Sequence, residues 1–215
     1  MEDLEPDSIK IDKEPIDTAE SESEIRTYSV WLERKSFRIA LVSIFTALAV
    51  VLGYALAPLL NIELFTLTLF LSGFILGKRD GMIVGISSSF IFCFFNFFGS
   101  DLLLLAFQLI YYTSVGLLGA LTHQLLRRKK FFTPDKDLYN IQVMVIFGIL
   151  SGLMTFVYDI ISTLVFAISI SGTIDSFLPT LIIGIPSSII HIVGNTLGFI
   201  FILPGFIQLV YKMLY

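Results

Sequence analysis

The chain has 215 residues, 55% of them hydrophobic and only 15% charged, with a mean hydropathy of +0.86. Soluble domains carry roughly 25% charged residues, so the composition excludes an ordinary water-soluble enzyme and calls for lipid as solvent. The net charge of −4 belongs to one segment. Ten of the 18 acidic residues lie between Glu2 and Glu24, and only Lys10, Lys13 and Arg26 oppose them in the first 26 positions, so the balance points to no nucleic-acid partner.

Residues 1–27 have few large apolar side chains and no helical apolar stripe, and read as a disordered acidic cytoplasmic tail. An apolar core near the start is missing, so no signal peptide is expected. Tyr28 and Trp31 are expected to anchor a short interfacial helix. Residues 28–215 then read as one membrane domain. A bilayer core of about 30 Å takes about 20 apolar residues per helix, and six segments qualify. They run over about Arg38–Ala57, ending at Pro58, and then Ile62–Gly77, Gly81–Phe98 and Leu102–Leu126. After a polar linker at 127–140 come Ile141–Ile170 and Pro179–Tyr211. The second is short enough to be partly inset. The last two exceed one bilayer thickness and predict tilt or kinks, with irregular points at Pro186 and Pro204.

The loops orient these segments. Arg34, Lys35 and Arg38 precede the first span, and Lys78 and Arg79 join the second to the third. Arg127, Arg128, Lys129, Lys130 and Lys136 join the fourth to the fifth, and Lys212 follows the sixth. That places 11 basic residues on one side; the alternate connections, near Asn61, Asp101 and Asp175, have none. The positive-inside rule puts both termini in the cytoplasm. The expected fold is therefore an all-α integral membrane bundle of six transmembrane helices, N-in and C-in.

Polar groups at membrane depth are expensive and usually face a cavity or a partner. Here they are Glu63, Asn96, Gln108, Asp159, His191 and Asn195. At about 1.5 Å per residue they fall in the outer half or near the middle of their spans. His191, Gly194, Asn195 and Gly198 share one helical face; so do Gly148, Gly152, Thr155, Asp159 and Thr163, and likewise Gly81, Gly85, Ser88, Phe92 and Asn96. The three stripes are expected to face one another around a pocket toward the outside. Asp159 at its depth needs a partner such as His191. Asn195 and Gln108 have a plainer reading as bridges between helices, His191 as a satisfied core histidine, and Glu63 as a solvated cap. Tyr54, Tyr111, Tyr112 and Tyr158 either stack on a flat ligand or anchor at the interface. The lone Cys93 reads as a buried inert thiol, and no Cys/His cluster suggests a metal.

Enzymatic signatures are missing. Gly73-Phe-Ile-Leu-Gly77-Lys78 is one residue too short for a phosphate loop, and Arg79 stands where Ser or Thr is required. The chain has no HExxH, and Ser87, Ser88 and Ser89 lack a GxSxG frame. No catalytic residue and no cofactor is expected, and a transporter built this way takes its energy from an ion gradient or a borrowed ATPase.

Three segments carry a family resemblance. The first is Arg38-Ile-Ala-Leu-Val-Ser-Ile-Phe-Thr-Ala-Leu-Ala-Val-Val-Leu-Gly53, with Ser43 and Ala47 at the positions of an AxxxA motif. The second is Asn61-Ile-Glu-Leu-Phe-Thr-Leu-Thr-Leu-Phe-Leu-Ser-Gly73, followed by Gly77-Lys-Arg-Asp-Gly81 and Gly85. The third is Asn96-Phe-Phe-Gly99, similar to an Asn-Pro-Phe-Gly with Phe97 in place of Pro. Over roughly 36–212 the chain resembles the substrate-binding S component of energy-coupling factor (ECF) vitamin transporters. The resemblance implies a six-helix subunit that captures a vitamin or related micronutrient near the outer face. A membrane T component and two cytoplasmic ATPases would power delivery, and Ser43 and Ala47 would lie on the face that docks on the T component. The substrate site expected from the residues is Glu63, Asn96, Gln108, Tyr158, Asp159, His191 and Asn195. Two alternatives stay open: a stand-alone proton-coupled carrier using Asp159 and His191, and a noncatalytic membrane scaffold or sensor whose acidic tail binds a partner.

Overall fold

In a computed structural model of the chain, described over residues 30–59, 63–95, 101–134 and 137–214, every regular element is helical. A short α1 (Val30–Glu33) leads into α2 (Lys35–Leu56), followed by α3 (Phe65–Leu76), α4 (Lys78–Phe94), α5 (Leu102–Leu126), α6 (Ile141–Ser171) and α7 (Phe177–Leu197). A π-helical turn, Gly198–Ile202, joins α7 to α8 (Leu203–Leu214) without a break. The tail at 1–27, Tyr28 and the side chain of Trp31 lie outside the described residues, as do Asn61 and Asn96.

Local chemistry sets the boundaries. Gly77 separates α3 from α4 at φ +89°, a conformation open to glycine and strained for other residues. Asp101 caps α5 by accepting the Leu104 N–H (2.9 Å), and Asn140 caps α6 by accepting the Gln142 N–H (3.1 Å). Gly172 ends α6 at φ +68°. The α4 helix begins three residues earlier than its hydropathy implies, because Lys78, Arg79 and Asp80 are helical. The expected sixth span is α7, the π turn and α8 together. Pro186 is accommodated inside α7, whereas Pro204 follows the π turn, where its missing N–H perturbs the ladder. Tyr139 Oη donates to the Phe201 carbonyl there at 2.8 Å.

From α2 to α7 successive helices run in alternate directions, and α8 continues α7. Arg38 at the start of α2 meets Asp80 at the start of α4, and Tyr211 of α8 meets His123 near the end of α5 (2.9 Å). At the far end, Ser169 of α6 donates to Asp101 (2.7 Å), and Tyr54 of α2 reaches the Ile91 carbonyl of α4 (3.2 Å). The lysines and arginines among the described residues flank the first of these ends.

Among the described residues four stretches are long and apolar enough to cross a membrane: α2, α5, α6 and the continuous α7–α8 run. Their outward faces are apolar, with Ile39, Val51, Ile110 and Ile183 between 61% and 81% exposed, which is the reverse of a water-soluble surface. The α3 helix behaves differently. The 12-residue α3 rises only about 18 Å, yet all of its residues are buried. It is wrapped by α2, α4, α5 and α8, with Phe70 and Phe74 against Phe147 and Phe70 also against Phe199. Short length is tolerable because protein, not lipid, surrounds it.

Glycines permit this enclosure. A Cβ on Gly73 would strike the carbonyl of Gly116, one on Gly116 would strike the carbonyl of Gly81, and one on Gly81 would strike the Cα of Gly73. The backbones of α3, α4 and α5 therefore touch at a single three-way contact. This corrects one expectation. The α6 and α7 stripes do face each other, with Gly148 and Gly152 against Ile200 and Thr196. The α4 stripe instead faces α3 and α5, since Gly81 and Gly85 admit those backbones and α4 packs little against α6 or α7.

Candidate functional site

Toward the end remote from the basic residues, a polar group interrupts the apolar packing. Its centre is His191, one of the two buried polar side chains of α7. Nδ1 of His191 lies 2.7 Å from Asp159 Oδ1 of α6, and Nε2 faces Glu63 Oε1 at 3.4 Å. An N–H donates to each carboxylate when the ring carries both protons. Glu63, just ahead of α3, also accepts from the Thr66 hydroxyl at 2.6 Å. One turn beyond His191, Asn195 donates to Thr155 Oγ1 of α6 at 3.1 Å. The side chains of His191, Asp159 and Glu63 retain only 9%, 12% and 22% exposure, so two carboxylates and an imidazole share a largely desolvated space.

An aromatic wall adjoins this group. The Tyr158 ring stands edge-on to His191 at 5.9 Å and packs with Tyr111, Tyr112 and Phe107. Gln108 donates to Tyr158 Oη (3.2 Å), and Tyr111 Oη donates to the Met154 carbonyl (3.1 Å), tying α5 to α6. The wall continues through Tyr112 and Phe65 to Phe92.

The polar partners do not close the circle. Among the described residues four buried side-chain oxygens or nitrogens have no hydrogen-bond partner: Ser88 Oγ, Ser151 Oγ, Asp159 Oδ2 and Asn195 Oδ1. Two of them belong to this group. A buried acceptor left unpaired costs about 1–3 kcal/mol, and more when charged.

Of the residues expected to bind substrate, the structure brings Glu63, Gln108, Tyr158, Asp159, His191 and Asn195 into one connected group; Asn96 lies outside the described residues. Gln108 and Asn195 do bridge helices, so their plainer reading also describes real contacts. Glu63 is turned inward on His191 rather than serving as a solvated cap. Tyr54 is a strut between α2 and α4, and Cys93 is buried. Ser43 and Ala47 lie on the exposed face of α2, away from buried Phe45, Ala49 and Gly53, with the Ser43 hydroxyl turned back to the Ile39 carbonyl (3.0 Å).

The sequence reading missed Thr66, although it lies only three residues after Glu63. It also missed Asp80, which takes Arg38 Nε and Nη2 at 2.8 and 2.6 Å and locks α2 to α4 at the basic end. That carboxylate hid inside a run assigned to a loop. Compared with protein-family models, with curated proteins and with solved structures, the chain finds no match.

Proposed function

We propose that the chain is the membrane-embedded substrate-capture subunit of an ATP-driven ECF transporter. It takes up a vitamin or related small micronutrient near the outer face and passes it inward with a T component and two cytoplasmic ATPases. It does so as a six-span bundle with both termini in the cytoplasm, in which α3 and α4 are the second and third spans. The observation that carries this reading is the buried Glu63–His191–Asp159–Asn195 group with two unpartnered acceptors. A small hydrophilic ligand entering an apolar bundle needs a partner for each polar group it buries, and this group offers them beside an aromatic wall. The gathering of basic residues at the opposite end supports the orientation. Ser43 and Ala47, outward on α2, suit the role of a docking face for the T component.

The test is ligand binding to the purified chain. Asp159→Asn and Asn195→Ala are each expected to weaken affinity at least about tenfold, roughly 1.4 kcal/mol, with little change in ligand-free thermal stability. Unchanged affinity with lowered stability would make these residues structural ties and remove the site. Replacing Ser43 or Ala47 with Leu is expected to abolish uptake and T-component copurification while binding persists.

A second reading draws on the same geometry. Glu63, His191 and Asp159 form a continuous chain that can relay a proton, as a stand-alone proton-coupled carrier would require. In that case Asp159→Asn keeps binding but stops pH-dependent uptake, and transport needs no ATPase.

A further inference from the structure

The chemistry of the cluster is lopsided. Glu63 and Asp159 supply two carboxylates, and His191 supplies at most one positive charge between them. With both carboxyls ionised, even a doubly protonated imidazole leaves the group one negative charge in excess. The protein does not meet that excess. All ten Lys and Arg residues among those described sit at the other end: before and at the start of α2, at the start of α4, after α5 and near the end of α8. Arg38, the one nearest the helical interior, is held by Asp80.

The hydrogen-bond inventory leans the same way. Four donors around the cluster are engaged: Thr66 on Glu63, Asn195 on Thr155, Gln108 on Tyr158, and Tyr111 on a backbone carbonyl. The atoms without partners, Asp159 Oδ2 and Asn195 Oδ1, are both acceptors, and Asn195 is 97% buried, being only 3% exposed. Excess negative charge and spare acceptors beside stacked tyrosine rings describe the complement of a specific kind of molecule. Ring faces attract cations and pack against flat groups.

Resting on the capture reading above, we infer that the ligand of this site is an organic cation: a small, flat nitrogen compound, positively charged at neutral pH, whose N–H groups donate to Asp159 and Asn195. Glu63 and Asp159 provide the charge, and Tyr158 with Tyr111 provides the flat surface. A divalent metal is the poorer fit, because no group of three or more His, Cys, Asp or Glu among the described residues is arranged to hold one.

The experiment uses the full chain in lipid nanodiscs and three probes that share one ring: benzamidine (a cation at neutral pH), benzamide (neutral) and benzoate (an anion). Benzamidinium is expected to bind at least about tenfold more tightly than benzamide, and benzoate most weakly. Glu63→Gln leaves one carboxylate facing one imidazole, and the preference for the cation is expected to fall below about threefold. Circular dichroism checks that the variant folds; should it not, Asp159→Asn removes the same charge and serves instead. In parallel, small molecules that copurify with the wild-type chain and are lost from Asn195→Ala are identified by mass spectrometry, and are expected to be cationic. Equal binding of the three probes, preference for benzoate or benzamide, or no binding by any of them overturns the inference. A neutral or anionic copurifying compound overturns it while leaving capture intact. If no probe binds and no compound distinguishes wild type from Asn195→Ala, the capture reading falls as well.

Discussion

The two halves of this bundle are held together by different means. In α3, α4 and α5, backbone lies on backbone at Gly73, Gly81 and Gly116. In α6 and α7 the contact is made by side chains: a Cβ at Gly152 would meet only Thr196 Oγ1 at 3.5 Å, and one at Gly184 would meet nothing within 4 Å. The candidate site straddles the seam. Glu63, Thr66, Gln108 and Tyr111 come from the first half, and Tyr158, Asp159, His191 and Asn195 from the second. Each half therefore supplies part of the site, one from backbone-packed helices and the other from helices joined through side chains.

The sharpest way to break this contrast is to place methyl groups on both sides of the seam. Gly116→Ala drives a Cβ into the Gly81 carbonyl, and is expected to cost about 3 kcal/mol or more, since neither backbone is free to yield. Gly184→Ala, in open space, is expected to gain about 0.5–1 kcal/mol from the lost flexibility of glycine. Thermal unfolding in detergent reads both. Similar losses at the two positions would erase the distinction.

Next in size is the lock at the basic end. Arg38→Met leaves Asp80 buried without its cation. The expected loss is about 1–3 kcal/mol, below the 3–5 kcal/mol of a fully buried pair, because the Arg38 side chain is 41% exposed. Arg38→Lys is expected to recover part of it.

Tyr158→Phe removes the acceptor for Gln108 across the seam, and is expected to cost about 1 kcal/mol. Hydrogen exchange gives the same comparison without mutation: the amides of α3 are expected to exchange more slowly than those of α7, and ligand is expected to protect α6 and α7 most. Uniform protection would deny that the halves differ.

The smallest effect is at Asp101, whose carboxyl is held below the usual carboxylate range by the Ser169 hydroxyl and the Leu104 amide. A depressed value means that the tie contributes above the ordinary carboxylate pKa of about 4 and is lost as pH falls through the lowered value. Exchange at the Leu104 amide is therefore expected to show extra opening in acid, and Asp101→Asn is expected to blunt that response.

How much of this was legible depended on what each residue answers to. Helix existence was readable because apolar length is a property of the segment alone, as at Leu102–Leu126, where sequence and structure agree at both ends. The Asp159–His191 pairing was readable because a carboxylate in an apolar helix needs a donor and few were available. What escaped was set by partners distant in sequence. Nothing local says that the Gly81 face of α4 meets Gly73 and Gly116 rather than α6, or that Asp80 is drawn inward by a residue 42 positions earlier. The inward turn of Glu63 was likewise invisible, since it depends on His191, 128 positions away.

The brevity of α3 has a consequence for how the chain is made. In a bilayer, a helix of about 18 Å cannot satisfy both interfaces, so α3 has no stable residence there by itself. It must be carried in as a hairpin with α4, turning at Gly77 with Lys78 and Arg79 left at the basic end. Its enclosure is complete only after α5 and then α8 have been synthesised. Ribosome-bound chains that stop before residue 102 should therefore leave α3 accessible to water-soluble thiol reagents from an engineered cysteine at Ser72, and chains that stop after α8 should not. The most deeply buried helix of the mature protein is thus among the last to reach its environment during biogenesis.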